Sequence, residues 1–374
     1  MKKKISLIIV TFFFFLSIIV SPILFTILPK AEFSENENRF LAKFPDFSFD
    51  ELKDGDFTSD IETYMTDHFP FRDYFIGLKT MVEISLGRKE INNVYICDNG
   101  YYMDAYDKPK NTQNMIDAVN ELDSAVNKAD IQLMLVPTAV TVYKEYIPKT
   151  VSYANQLDTM NEVYSSVDVK CIDVSEALFN NRHKYQLFYK LDHHWTTYGA
   201  FTAYEKFCQD SSFKPVDKSE FDIENVTNNF KGTTYSKVNN YTVNSEAITV
   251  FNQPELNIDV YYPDKKEHYD SLYEYSYLEK KDMYSLFLNN LQSVVEIENK
   301  DFKGKEELVV VKDSYANCFI PFLVNHYKKI YVIDPRNYNE VISDFINSKK
   351  NVSDVLVLYN IGTLDTDVGV ANIY

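Results

Sequence analysis

The stretch ISLIIVTFFFFLSIIVSPILFTILP, from Ile5 to Pro29, contains no charged residue and directly follows Lys2–Lys4. A bilayer core of about 30 Å is crossed by about 20 apolar helical residues, so this run is predicted to span a membrane. Basic residues on its N-terminal side keep that end cytoplasmic and send the remaining chain outside. A cleaved leader has a shorter apolar region, roughly 7–15 residues, closed by a small-x-small cleavage site. No such pattern ends this run. The reading is an uncleaved signal-anchor over residues 1–29 of a single-pass cell-membrane protein whose main domain is extracytoplasmic.

The chain carries 38 Lys+Arg against 55 Asp+Glu. Without Lys2–Lys4 the balance is 35 against 55, a formal charge of −20 on the exported part. That excludes nucleic acid as a partner, because phosphates need a basic footprint. It disfavours anionic headgroups and anionic polymers and favours a neutral or cationic substrate. The cysteines, Cys97, Cys171, Cys208 and Cys318, form no CxxC pair and are too few for a disulfide framework. Their redox state stays open.

The 345 residues after Pro29 exceed the usual size of one domain. Residues 30–90 read as a juxtamembrane arm followed by helices. AEFSENENRFLAKFPDFSFDEL is polar and mostly extended, and helical spacing follows at Ile61, Tyr64 and Met65 and again at Phe75, Leu78, Met81 and Val82. Residues 91–374 read as the main domain. NNVYICDNGYYM predicts a hairpin turning at Asp98–Gly100. Helical patterns at Ile116, Val119 and Leu122 and at Leu157, Met160 and Val163 then alternate with apolar strands, among them Ile131–Tyr143 and Leu308–Val311. Strands apolar throughout and interleaved with helices imply an α/β fold: a mostly parallel sheet covered on both faces. Residues 212–302, rich in Asn, Tyr, Thr and charge, break the rhythm and read as a β-rich insertion.

Two short stretches carry the chemistry. LVVVKDSYAN places Ser314 just after a buried strand and at the start of a helix. The carboxyl ends of parallel strands form the crevice of such folds, and backbone N–H groups there can hold an oxyanion. A serine hydroxyl needs a positioned base to act as a nucleophile. KLDHHWTTYGA supplies one. Asp192 and His194 are two apart, which in an extended segment puts both side chains on one face, with His193 pointing away. Asp192, His194 and Ser314 thus make a candidate triad in which the acid orients the base. Competing readings are a metal site built from Asp192, His193 and His194, and a packed turn in which Asp192 caps and Trp195 is core. Adjacent histidines rarely bind one ion together, so no metal and no cofactor is expected.

LDHHWTTYGA carries the sequence that names the DHHW protein family. It also resembles the D-x-H-W block of the SGNH-like alginate O-acetylation proteins of bacterial envelopes. ENRFLAKFP, DHFPFRD, NVYICDNGYYM and KDSY are similar to further blocks of that group. The resemblance implies an SGNH-hydrolase-like three-layer α/β/α sandwich and acyl-ester chemistry, in particular acetyl, on a cell-envelope or extracellular polysaccharide. It puts the nucleophile at Ser314, the base at His194 and the orienting acid at Asp192. Lys312 stands where the group's nucleophile block has glycine, and the group's G-x-N-D block is absent. Asn360 in LYNIGT is the substitute candidate oxyanion donor. Arg336 in IDPRNY and Trp195 are candidate substrate-binding residues. Transfer and hydrolysis share this machinery, and a transferase would need a membrane-bound acyltransferase partner to supply acyl groups from inside. A catalytically inactive glycan-binding or assembly protein on the same scaffold is the alternative from a different class.

Overall fold

The computed structural model describes residues 2–37, 39–290 and 292–374. Two compact units emerge: one comprises the chain up to Arg88 together with Ser236–Val243, the other Lys89–Tyr235 and Asn244–Tyr374.

The first unit opens with a helix over Lys2–Ile27 that contains an apolar stretch, Ile8–Ile27, long enough to cross a membrane. Helices Asp56–Asp67 and Arg72–Ser85 follow. The arm expected to be mostly extended pairs Phe33–Ser34 with Arg39–Phe40 and then coils into a helix at Phe49–Asp54. Two of the quoted sequence blocks meet here. Arg39 clamps Asp67 at 2.9 and 2.5 Å, and Arg72 reaches Glu37 at 2.9 Å. The Arg39 hydrogen bond holds the Asp67 carboxyl down to about 2.

The second unit is built on an eight-stranded sheet. In chain order its strands are β1 (Asp130–Val136), β2 (Lys170–Cys171), β3 (Ile258–Tyr262), β4 (Glu267–Tyr269), β5 (Val294–Asn299), β6 (Glu307–Lys312), β7 (Lys329–Ile333) and β8 (Val352–Asn360). Across the sheet they run β4-β3-β5-β7-β6-β8-β1-β2. The five strands from β7 to β2 are parallel, and β5, β3 and β4 extend them antiparallel. The parallel strands are apolar throughout because both faces are covered: Leu308–Val311 and Val355–Tyr359 are all buried.

Two expectations change. The apolar run Ile131–Tyr143 is not one strand. β1 ends at Val136, Pro137 has no N–H to continue a ladder, and Ala139–Val142 is a helical turn. Residues 212–302 do not stand apart as an insertion. They supply β3, β4 and β5, whose alternating apolar residues Ile258, Val260 and Tyr262 join the common core, beside a separate ribbon of Asp222–Phe230 and Glu246–Asn252. The hairpin turns where its sequence predicted, with Asn99 and Gly100 at φ of 55° and 79°.

Candidate active site

Ser314 begins a short helix directly after β6. Asp313 fixes that turn. One of its oxygens accepts the Tyr315 amide at 2.9 Å, and the other accepts the Asn360 amide at 2.8 Å, the Asn360 side chain at 2.7 Å and the Thr363 hydroxyl at 3.1 Å. Burial pushes the Asp313 carboxyl up, and these donors oppose the push. The carboxyl ends of β6 and β8 are thereby tied together under Ser314. Among the described residues the Ser314 amide has no hydrogen-bond acceptor, as an oxyanion donor requires.

The DHHW stretch is the tip of a tight loop. Phe188 pairs with Trp195, and the Thr196 amide donates to the Leu187 carbonyl at 2.9 Å. Inside the tip the half-buried Glu246 carboxylate accepts the amides of Lys190 and Leu191 at 2.9 and 2.7 Å. Asp192 then folds back on its own chain. Its Oδ1 accepts both the His194 amide at 3.0 Å and His194 Nδ1 at 2.6 Å, while its Oδ2 accepts the Thr233 amide at 2.8 Å and hydroxyl at 3.0 Å. Gly232 permits this approach, since a Cβ there would lie 2.1 Å from Asp192 Oδ2. On the far side of the imidazole, His194 Nε2 is 2.8 Å from Ser314 Oγ. Tyr284 stacks on the ring with centroids 3.7 Å apart and planes 9° from parallel.

The pairing of Asp192 with His194 was expected from an extended backbone; it arises instead from a turn. That changes the place of His193. It does not point away: its ring lies 3.8 Å from that of His194, and its Nδ1 pairs with the Thr233 hydroxyl at 2.5 Å. Together with Asp192, Asn360, Tyr102, Thr138 and Gln156 it bounds a cavity of about 70 Å³.

Burial, then the neighbouring His193, lowers His194 to about 4, against the opposing pull of Asp192. Burial raises Asp192, but the charges of His194 and His193 and the hydrogen bonds from His194 and the Thr233 amide outweigh it and hold the carboxyl far below its usual range. At neutral pH His194 is therefore neutral beside an ionised Asp192. Its Nδ1–H donates to Asp192 and its Nε2 accepts from the Ser314 hydroxyl.

The remaining candidates are placed differently from expectation. Asn360 offers its amide hydrogens to Asp313 and Thr363, so neither is free for an oxyanion. Arg336 grips Asp334 at 2.8 and 2.5 Å and lies 3.8 Å from Asp367. Trp195 is wholly buried; its indole donates to the Tyr315 carbonyl at 2.8 Å and supports the Ser314 turn from beneath. Lys312 turns into the interior to meet Asp334 at 3.1 Å and does not narrow the space around Ser314. A metal at Asp192, His193 and His194, whose ligand atoms lie within 4.8 Å of one another, would have to displace the bonds just described. All four cysteines are free, and burial raises each thiol, to about 11 for Cys171 and about 12 for the others.

Glu246, Gly232, Thr233 and Tyr284 escaped the sequence reading. Each lies 37–89 residues beyond the DHHW stretch in text that broke the α/β rhythm, and only Gly232, a glycine in a polar strand-rich segment, gave a local signal.

The DHHW protein family model matches residues 83–333. The fold is similar to a DHHW family protein from Eubacterium siraeum (23% identity, 76% of this chain and 96% of that one, TM-score 0.66). It is also similar to Bacillus cereus PatB1 (20% identity, 73% and 97%, TM-score 0.60), whose structure is also known with a sulfonyl adduct. The O-acetyltransferase domain of Pseudomonas putida AlgJ is a more distant likeness (14% identity, 73% and 92%, TM-score 0.46). No curated protein sequence matches the chain.

Proposed function

This chain belongs to the DHHW protein family, and from that premise we propose that it is a membrane-anchored, extracytoplasmic serine acyltransferase or esterase. The observation that carries the proposal is the unbroken relay from Asp192 through His194 to Ser314, with links of 2.6 and 2.8 Å.

His194 takes the Ser314 proton as Oγ attacks the acyl carbonyl. Negative charge forms on the carbonyl oxygen and is met by the Ser314 N–H. Asp192 stabilises the imidazolium. The tetrahedral species collapses, the donor's ester bond breaks, and His194 returns the proton to the departing alkoxide. The acyl-serine is resolved by a hydroxyl of a sugar or by water, again with His194 as base. Resemblance of the D-x-H-W block to the alginate O-acetylation proteins supports an acetyl group and a polysaccharide of the cell envelope. The net charge favours a neutral or cationic polymer. The apolar helix supports anchoring, and a membrane-bound acyltransferase partner is the donor route this reading requires.

The test is covalent labelling of the full chain by a fluorophosphonate or sulfonyl fluoride. Labelling that disappears in Ser314→Ala supports the proposal, as does release of acetate from an acetylated glycan. Folded protein that is never labelled overturns it and favours a glycan-binding module on the same scaffold.

A further inference from the structure

The helix Arg72–Ser85 is turned inside out. Its buried face carries Gly77, pressed against the Tyr241 ring, and Thr80, whose hydroxyl donates to the Val238 carbonyl at 2.9 Å. Its large apolar residues face outward: Phe75, Leu78, Met81 and Val82 are between 39 and 50% exposed, and Phe71, Tyr74 and Leu86 at its ends are between 62 and 82% exposed. At 100° per residue these positions fill one arc of roughly 140°, with Gly77 and Thr80 outside it on the other side. A soluble helix buries such a stripe. Here its own unit leaves much of it uncovered.

Depth supplies the occupant. The stretch Ile8–Ile27 is 20 residues long, which at about 1.5 Å per residue matches a hydrocarbon core of about 30 Å. If Ile27 marks the outer boundary, Ser21 lies roughly 9 Å inside it. Yet Ser21, Pro22 and Phe25 line one apolar groove of about 830 Å³ with Met65 and Phe75 of the helices Asp56–Asp67 and Arg72–Ser85 and with Phe69 of the turn between them. Phe25 also meets Tyr64 edge-on at 6.0 Å. Helices packed beside that end of the span occupy the outermost several ångströms of the bilayer. An interfacial helix buries its apolar face about 5–10 Å deep, which agrees with the offset. Lys79, 73% exposed, borders the groove and can extend its ammonium to the headgroups while its stem stays apolar.

We propose that the apolar face of Arg72–Ser85, with Met65 and Phe69, is seated in the outer leaflet, its occupant being lipid acyl chains. The first unit is then more than a tether: it has a fixed rotation and depth in the membrane. This inference rests on the anchored reading above, and its test separates the two.

The full chain is reconstituted in phosphatidylcholine nanodiscs with single nitroxide labels at Leu78→Cys, Val82→Cys, Ile18→Cys and, as a water-facing reference, Val341→Cys. Collision rates with oxygen and with a water-soluble nickel chelate are read in each case. The expected result is loss of nickel collisions with retained oxygen collisions at 78 and 82, as at 18, and the reverse at 341. If 18 is in lipid but 78 and 82 collide freely with nickel, this inference falls and the anchor stands. If 18 is also in water, the anchor reading fails. Labels at 78 and 82 shielded from both reagents would mean that protein, a second copy or another membrane helix, covers the face, and would overturn the lipid assignment.

Discussion

The sharpest consequence of the proposed mechanism is acid tolerance. An ordinary histidine base titrates near 6.5, whereas burial and then His193 bring His194 down to about 4. The base must be unprotonated, so activity is full above the folded-state value and is lost as pH falls through it. At pH 5.5 a base of about 4 is roughly 97% competent, and one of 6.5 about 9%. The structure therefore predicts about tenfold more activity at pH 5.5 than an exposed histidine would allow, with a half-maximal rate near pH 4. The assay is the rate of labelling by a neutral fluorophosphonate, which does not itself titrate across this range. Stability must be followed in parallel. A lowered histidine contributes stability that is complete above about 6.5 and drains away as pH falls toward 4, at most roughly 3 kcal/mol here. Circular dichroism at each pH separates that loss from protonation of the base. A labelling rate that halves near 6.5 in folded protein would refute the burial argument. A rate flat to pH 3 would refute His194 as the base.

Gly232→Ala drives a Cβ to 2.1 Å from Asp192 Oδ2; the labelling rate should fall about 10³–10⁴-fold, as when a triad acid is disabled, with the fold retained by circular dichroism. His193→Ala removes one of the influences that lower His194, so the acid limb should move to higher pH while the plateau rate changes within about tenfold. Asp334→Ala leaves Lys312 buried at 3% side-chain exposure with its partner gone, and thermal or denaturant unfolding should show a loss of about 3–5 kcal/mol. Glu246→Ala leaves the Lys190 and Leu191 amides without their acceptor; unfolding should become easier by about 1–3 kcal/mol and labelling slower, with partial rescue in Glu246→Gln.

What the sequence made legible follows the range of the physics involved. Buried parallel strands such as Leu308–Val311 are visible because complete burial demands an unbroken apolar run, and helices such as Thr112–Ala125 because one apolar face repeats at helical spacing. The Asp192–His194 pair was legible from its spacing, yet the backbone that brings it together was not. An extended strand and a folded-back turn both place residues two apart within reach, and only the acceptors supplied by Glu246 and the donors supplied by Thr233 select the turn. Those partners act across long separations and leave no periodic trace. Lys312, Asn360 and Arg336 had partners that were not legible, for a related reason. Each is polar at or near a strand end, where the crevice lies, but each is absorbed by a buried carboxylate, Asp334 or Asp313, whose own need for partners is not apparent from the text.

The two chemical motifs also prove to be one structure. Three contacts bridge them across about 120 residues of chain: the Trp195 indole donates to the Tyr315 carbonyl, the Tyr315 hydroxyl donates to the His193 carbonyl, and His194 meets Ser314. The aromatic residue after each reactive one thus binds the other motif's backbone, so each stretch is held by the residue next to its functional atom. Placement of His194 relative to Ser314 is then set by two hydrogen bonds, that of the Trp195 indole buried and that of the Tyr315 hydroxyl half-buried, and shielding from water makes the first harder to lose. Such a centre cannot be assembled from either stretch alone. It forms only when β6 is seated in the sheet and the loop from Leu187 to Thr196 has closed over it, which is why a covalent label at Ser314 would report the folding of the second unit as well as its chemistry.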